Sequence, residues 1–274
     1  MPGTFFLVAT PIGNLEDITY RAVRVLREVD LIACEDTRQT RKLLDRYAIH
    51  KPLISYHEHN EEQRATELIS KLLEGFSVAL VSDAGTPLVS DPGYRLVARA
   101  IEEGVPIQPV PGPSALLTAL SASGLPTSAF YFGGFLPHKP AQRRKAFKKL
   151  KDMEATLIFY EAPHRILDSL ADVEAVLGPR PVVLARELTK IHEEFLRGSP
   201  HELRRILEQR DSIKGEFTLL VGRAPSQPEE SISIQQAVET AMEQGMTRME
   251  AMKAVARRRG ISKREVYRVL ENGR

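Results

Sequence analysis

LVSDAGTPLVSDPGYRLV, residues 80 to 97, holds Ser-Asp-x-Gly twice, at Ser82–Gly85 and again at Ser90–Gly93. The run before it, Val78 to Val81, is short and wholly apolar, as a strand buried on both faces is. A polar loop with glycine at its centre then follows, and ligand loops of α/β sheets lie beyond the carboxyl ends of the strands. The second element has a simpler reading: Ser90 or Asp91 caps the next helix and Pro92 takes its first turn. Ser82 to Pro87 has no such explanation, since no helix begins at once.

Outward from this stretch, short apolar runs alternate with amphipathic segments. Strands are expected at 5–9, 31–34, 53–55, 77–81 and 106–110, with helices at 19–29, 37–47, 61–74, 94–103 and 114–123. That alternation predicts a mostly parallel sheet with helices on both faces. The loop Ala9-Thr10-Pro11-Ile12-Gly13-Asn14 lacks both the Gly-Lys-Ser/Thr of a Walker A loop and the Rossmann glycine triplet, yet allows close backbone approach to a ligand. Pro109-Val110-Pro111-Gly112-Pro113-Ser114 repeats the device, with Pro113 suited to a first helical position. Three loops, after the first, fourth and fifth strands, would then converge at one sheet edge.

After the turn-rich Ser123 to Thr127 the pattern changes. Strands are expected at 130–135, 156–160, 182–188, 194–198 and 216–221, and helices at 140–152, 165–177 and 200–210. The close pair 182–188 and 194–198 suggests a hairpin and a mixed sheet. The expected organisation is an α/β domain over 1–123, a second α/β domain over 124–223, a linker at 224–231 and a basic helical tail at 232–274.

Hydrophobic residues make up 42% of the 274 and charged residues 27%, ordinary for a globular chain, and no apolar run is long enough to span a bilayer. The start runs straight into a strand with no targeting signature, and a single cysteine, Cys34, permits no internal disulfide; both fit a cytoplasmic protein. Net charge is +2, but residues 232–274 hold nine Lys/Arg against five Glu, and 138–151 hold seven Lys/Arg and no acid. Two such clusters on a nearly neutral chain point to a polyanionic partner.

Three motifs together resemble the signatures of the tetrapyrrole-methylase superfamily: Thr10 to Asp17, Val81 to Gly93 and Pro111 to Ser114. Within it, Cys34-Glu35-Asp36-Thr37-Arg38, Tyr56-His57-Glu58-His59-Asn60 and Phe159 to Arg165 are similar to a branch that methylates ribosomal RNA. The resemblance implies a two-domain class III methyltransferase fold, a homodimer, and S-adenosylmethionine in the cleft between the domains. It also implies, as acceptor, the 2′-hydroxyl of a cytidine in the decoding region of 16S rRNA. Carried onto this chain, the cofactor cleft would use Pro11, Asp83, Ala84, Gly85, Thr86 and Ser114 from the first domain. Tyr160, Ala185 and the strand entry Lys214-Gly215-Glu216-Phe217-Thr218 would come from the second, where related methylases have a Gly-Pro-Ala-like stretch in place of Glu216-Phe217.

Methyl transfer to a ribose hydroxyl needs alignment and a proton acceptor. Carboxylates available for that are Glu35, Asp36, Asp91, Glu161 and Glu187, with Glu35 or Asp36 favoured because they follow a strand directly, although Asp36 also suits a helix cap. Arg38, Arg41, Arg165 and Arg186 would suit flanking phosphates. A His57-x-His59 pair has no compact set of further ligands, so no metal is expected, and the loop suits an RNA entrance instead. The tail reads as helix, Gly260 turn and Ser262-capped helix, with Arg257, Arg258, Lys263 and Arg264 offered to phosphate. Without that tail the same loops would fit a corrin or porphyrin methylase, and a non-catalytic, cofactor-sensing regulator is the third reading.

Overall fold

The computed structural model describes residues 1–224, 233–243 and 245–272. The expected linker therefore lies, apart from residue 224, outside the described residues. The chain forms two compact units, Met1–Arg223 and Ala224–Arg274.

The first unit begins with the predicted alternation. Strands β1 (Phe5–Val8), β2 (Leu31–Cys34), β3 (Leu53–Ser55), β4 (Val78–Val81) and β5 (Ile107–Val110) are joined by helices α1 (Tyr20–Glu28), α2 (Thr37–Arg46), α3 (Glu61–Leu73) and α4 (Tyr94–Glu102). They form a parallel sheet in the order β3-β2-β4-β1-β5. The order is what gathers the loops: β4, β1 and β5 are neighbours, so the turns at their carboxyl ends meet. One core, with Leu68, Leu72, Leu80 and Leu96, fills one face of this sheet; a second, with Val25, Leu26, Ile32 and Leu44, fills the other. Burial on both faces is why the central strands β2 and β4 read as unbroken apolar runs, whereas the edge strand β5 exposes Gln108 and Pro109.

Helix α5 (Ala115–Ser123) leads into the second sheet: β6 (Phe130–Phe135), β7 (Thr156–Glu161), β8 (Val182–Arg186), β9 (Glu194–Gly198) and β10 (Phe217–Val221), ordered β6-β7-β10-β8-β9. Only β6 and β7 pair in parallel; β7, β10, β8 and β9 run antiparallel in turn, and β8–β9 is the expected hairpin. Helices α6 (Pro140–Lys149), α7 (Ile166–Leu177) and α8 (Pro200–Glu208) contribute Phe147, Leu170, Val173 and Leu203 to a core with β7, β8 and β10. A smaller cluster joins the two lobes: Ile12 and α5 residues Ala119 and Leu120 pack on Ile158, Val183 and Leu220.

In the second unit, α9 (Ile234–Glu243), α10 (Arg248–Arg259) and α11 (Lys263–Asn272) enclose Val238, Met252, Val255 and Val266. Gly260, at φ 63, ends α10 in the left-handed region, and the Ser262 hydroxyl accepts the Glu265 N–H at the start of α11. This is the helix, glycine turn and serine-capped helix that the spacing predicts. No helix among the described residues is long and apolar enough to cross a membrane.

Candidate active site

The three loops are knitted by the backbone itself. Thr10 N–H donates to Gly85 O at 2.8 Å and Gly85 N–H returns to Thr10 O at 3.0 Å. Thr10 Oγ1 donates to Ser82 O at 3.0 Å, and Thr86 Oγ1 to Pro113 O at 3.3 Å. Gly85 sits at φ 86, a dihedral that calls for glycine, although a Cβ there would make only ordinary contact with Ile12 Cγ2 at 3.4 Å. Opposite, β6 carries a bulge: Phe132 pairs with Ile158 but Phe135 with Tyr160, one residue out of step. The adjacent Gly133 and Gly134 permit it, since a Cβ on Gly133 would meet the Phe159 ring at 2.5 Å. The bulge brings the Phe135 ring edge-on to Tyr160, centroids 5.6 Å apart.

Between these walls lies a cavity of about 350 Å³. Of the residues expected to hold a cofactor, Asp83, Ala84, Gly85, Thr86, Ser114, Tyr160, Ala185, Glu216 and Phe217 all line it. Pro11 does not; the lining residue from the first loop is Ile12, one step on, while Pro11 itself is buried. Thr218, from the expected strand entry, lines it too, while sequence reasoning missed Val89, Phe135 and Leu188, of which only Phe135 had a signal, the Gly-Gly pair inside a strand.

Two helix starts differ from expectation. Neither Ser90 nor Asp91 caps α4: the cap position is Gly93, at φ 137, with no side-chain bond, and Leu88 and Ser90 are held at φ 70 and 72. These left-handed turns leave Asp91 lining the cavity instead. Ser114, not Pro113, immediately precedes α5, which starts at Ala115, two residues later than a Pro113 at the first helical position requires.

The carboxylates separate by environment. Asp36 is the α2 cap: its side chain accepts the Arg38 N–H at 2.8 Å and pairs with the Arg38 guanidinium at 2.7 Å, which holds its carboxyl down to about 2. So weak a base, already bound twice, is not suited to take the proton, and the expectation for Asp36 is corrected to a structural role. Glu35 is pushed up by burial and by the Asp83 and Glu58 charges, yet does not line the cavity. Asp91 is pushed up to about 6, first by burial, then by Glu35 and Asp83, with the Ser82 hydroxyl opposing. Glu161 is buried at the cavity floor, accepting Ser169 Oγ at 2.6 Å and the Ala162 N–H at 2.8 Å. Burial likewise raises Cys34, which is fully enclosed in the core.

Arg165 is corrected as well. Its side chain is 9% exposed and its guanidinium is committed to Glu161 (3.0 Å), Leu136 O and His138 Nδ1, so it braces the floor rather than meeting phosphate. Arg186 is mostly buried too, donating to Lys214 O at 2.7 Å and lying 3.6 Å from Glu194. Arg38 and Arg41 remain on the surface, Arg38 beside Asp36. In the tail Arg257, Lys263 and Arg264 are exposed; the Arg258 side chain lies outside the described residues. Among the described residues no group of three His, Cys, Asp or Glu side chains could hold a metal ion.

A parallel lobe and a mixed lobe closing on a loop-lined cavity define a two-lobe methyltransferase fold. Residues 4–204 match the family described as tetrapyrrole (corrin/porphyrin) methylases, and the chain belongs to that family. Its relatives include a protein of Halalkalibacterium halodurans named ribosomal RNA small subunit methyltransferase I, 53% identical over 273 residues, or 97% of this chain and 94% of that one. A Thermotoga maritima protein of the same name is 48% identical over 80% of this chain and 98% of its own length. Among solved structures, uroporphyrin-III-C-methyltransferase of Thermus thermophilus superposes with a TM-score of 0.56 at 24% identity, covering 81% of this chain and 95% of its own.

The methyl donor of the family is S-adenosylmethionine. The cavity fits it in size. Its chemistry fits as well: apolar walls from Ile12, Val89, Leu188 and Phe217 suit a purine and thioether carbons, and Asp83 suits a cationic donor. The chain is thus a methyltransferase, as the motifs predict.

Proposed function

We propose that the chain transfers the methyl group of S-adenosylmethionine to the 2′-hydroxyl of a cytidine in the decoding region of small-subunit (16S) ribosomal RNA. The observation that carries this reading is the 53% identity that runs across 97% of the chain to a relative named for that RNA, on a fold whose expected cofactor residues share one cavity. Bound there, the donor supplies a methyl group made electrophilic by its sulfonium. The protein's part is to hold that methyl and an acceptor oxygen in line, which is worth about 7–11 kcal/mol in favourable cases. The knitted loops and the left-handed Gly85 fix one wall; Tyr160, Phe135 and Phe217 supply the other.

The tail is an aid to this reading, not its arbiter. The same name attaches to the Thermotoga protein, nearly all of which is matched by 80% of this chain, a share that leaves over about as many residues as the tail holds. Exposed Arg257, Lys263 and Arg264 would then raise affinity for folded RNA through phosphate contacts rather than choose the nucleotide. A homodimer and a cytoplasmic setting complete the proposal; exposed Phe130, Tyr131 and Phe135 on the edge strand β6 are the apolar surface that a second copy would cover.

The test is transfer of tritium from labelled S-adenosylmethionine, offering unmodified small-subunit particles, free 16S rRNA and uroporphyrinogen in parallel. Label recovered as 2′-O-methylcytidine supports the reading. Label found only in the tetrapyrrole, or cofactor bound with no transfer, overturns it.

A further inference from the structure

Four carboxylates line the cavity: Asp83, Asp91, Glu161 and Glu216. Three are committed. Glu161 is wholly enclosed and holds Arg165, Ser169 and the Ala162 N–H. Glu216 is 81% exposed at the rim and pairs with Lys190 at 3.1 Å. Asp83 accepts the Asp36 N–H at 3.0 Å, tying the loops after β2 and β4 together. Asp91 is half-buried near Ser82, whose hydroxyl is turned to the Ala84 and Gly85 carbonyls, and no cation is paired to it among the described residues.

Its position is also imposed from both sides. Leu88 and Ser90 carry positive φ angles that side chains rarely adopt, and Gly93 stands at φ 137, where a Cβ would also press on Leu80 Cδ2 at 3.0 Å. Backbone held in such regions persists only where the surroundings enforce it. From the opposite lobe Gly134 leaves its Cα bare against Ser90: a Cβ would sit 3.2 Å from Ser90 Oγ. The groups facing Asp91 are Glu35 from the loop after β2, Asp83 and Ser82 from the loop after β4, and Tyr160 from β7.

We propose that Asp91 is the general base that takes the proton from the acceptor hydroxyl. This rests on the methyl-transfer reading above. The hydroxyl oxygen forms the new O–C bond as the C–S bond breaks, the electron pair of that bond stays on sulfur, and the hydroxyl proton passes to the Asp91 carboxylate and on to water. Charge balances: the sulfonium is discharged as the carboxylate is neutralised. A carboxyl raised to about 6 is ionised at neutral pH yet basic enough to share the proton in the transition state.

The experiment is single-turnover transfer from S-adenosylmethionine to small-subunit particles by the full chain, as wild type, Asp91→Asn and Asp91→Glu, between pH 5 and pH 9. Calorimetry of S-adenosylhomocysteine binding is run on each. The wild-type rate is expected to rise about tenfold per pH unit in acid and to level at or below about pH 6, since the bound sulfonium draws the Asp91 carboxyl down. Asp91→Asn should be slower by about 10²–10⁴-fold and lose that inflection, and Asp91→Glu should recover part of the rate. Binding of S-adenosylhomocysteine should change less than threefold, which a base requires and a cofactor ligand does not. An Asp91→Asn enzyme that keeps the wild-type rate or inflection, or loses cofactor affinity in step with rate, overturns the assignment alone. A wild type that binds cofactor but methylates no RNA overturns it together with the functional reading.

Discussion

Replacing Arg165 by Ala separates two roles that one residue could play. The Glu161 side chain is fully enclosed and the Arg165 side chain only 9% exposed, with 3.0 Å between Nε and Oε1. Removing the guanidinium leaves a carboxylate in the interior with only Ser169 Oγ and the Ala162 N–H, and takes a donor from Leu136 O and His138 Nδ1. Breaking a buried pair from one side costs about 3–5 kcal/mol, because the surviving charge stays desolvated. At about 2–4 °C per kcal/mol for a domain of this size, Tm should fall by about 6–20 °C. Scanning calorimetry measures that, and filter binding of 16S rRNA at two salt concentrations measures the alternative. A Tm within about 2 °C of wild type, with weaker RNA binding and a salt slope lower by about one, would refute the bracing role and return Arg165 to a phosphate.

Gly85→Val should destabilise the chain by about 1–3 kcal/mol through its left-handed φ and push a branched side chain against Ile12, which urea unfolding will register. Asp91 makes stability fall as pH rises: its native carboxyl, near 6, holds a proton between about pH 4 and pH 6 that the unfolded chain releases. A shift of about two units corresponds to about 3 kcal/mol, which partial exposure reduces to about 1–2. Asp91→Asn should therefore exceed wild type in stability by that amount at pH 8 and match it near pH 4, and a gain equal at both pH values counts against the environment described. Lys263→Ala with Arg264→Ala should flatten the dependence of log affinity on log salt by up to about two for 16S rRNA, leaving cofactor binding unchanged.

The fold was legible because its strands and helices carry strong periodicities. β2 (Leu31–Cys34), β3 (Leu53–Ser55) and β6 (Phe130–Phe135) begin and end where the apolar runs do. The three loops were legible from glycine and proline at strand exits, where backbone geometry is dictated locally, while the individual residues expected to hold a cofactor came from the family resemblance. What escaped was set by tertiary contact. Nothing in Leu88 or Ser90 announces a left-handed backbone, so Asp91-Pro92-Gly93 read as a helix cap when the chain turns Asp91 into the cavity. Arg165 read as a surface cation because burial of its partner four residues earlier is a property of the packed lobe, although the spacing Glu161, Arg165, Ser169 was there to be read.

Direct titration of S-adenosylmethionine into the full chain tests the central claim, that the two lobes of the first unit close on a methyl donor. One molecule should bind per chain with measurable heat, and Gly85→Val, which narrows the cavity without touching its carboxylates, should weaken that affinity by more than tenfold. Binding of equal strength in Gly85→Val, or no heat from the wild type even with ribosomal particles present, would contradict the account.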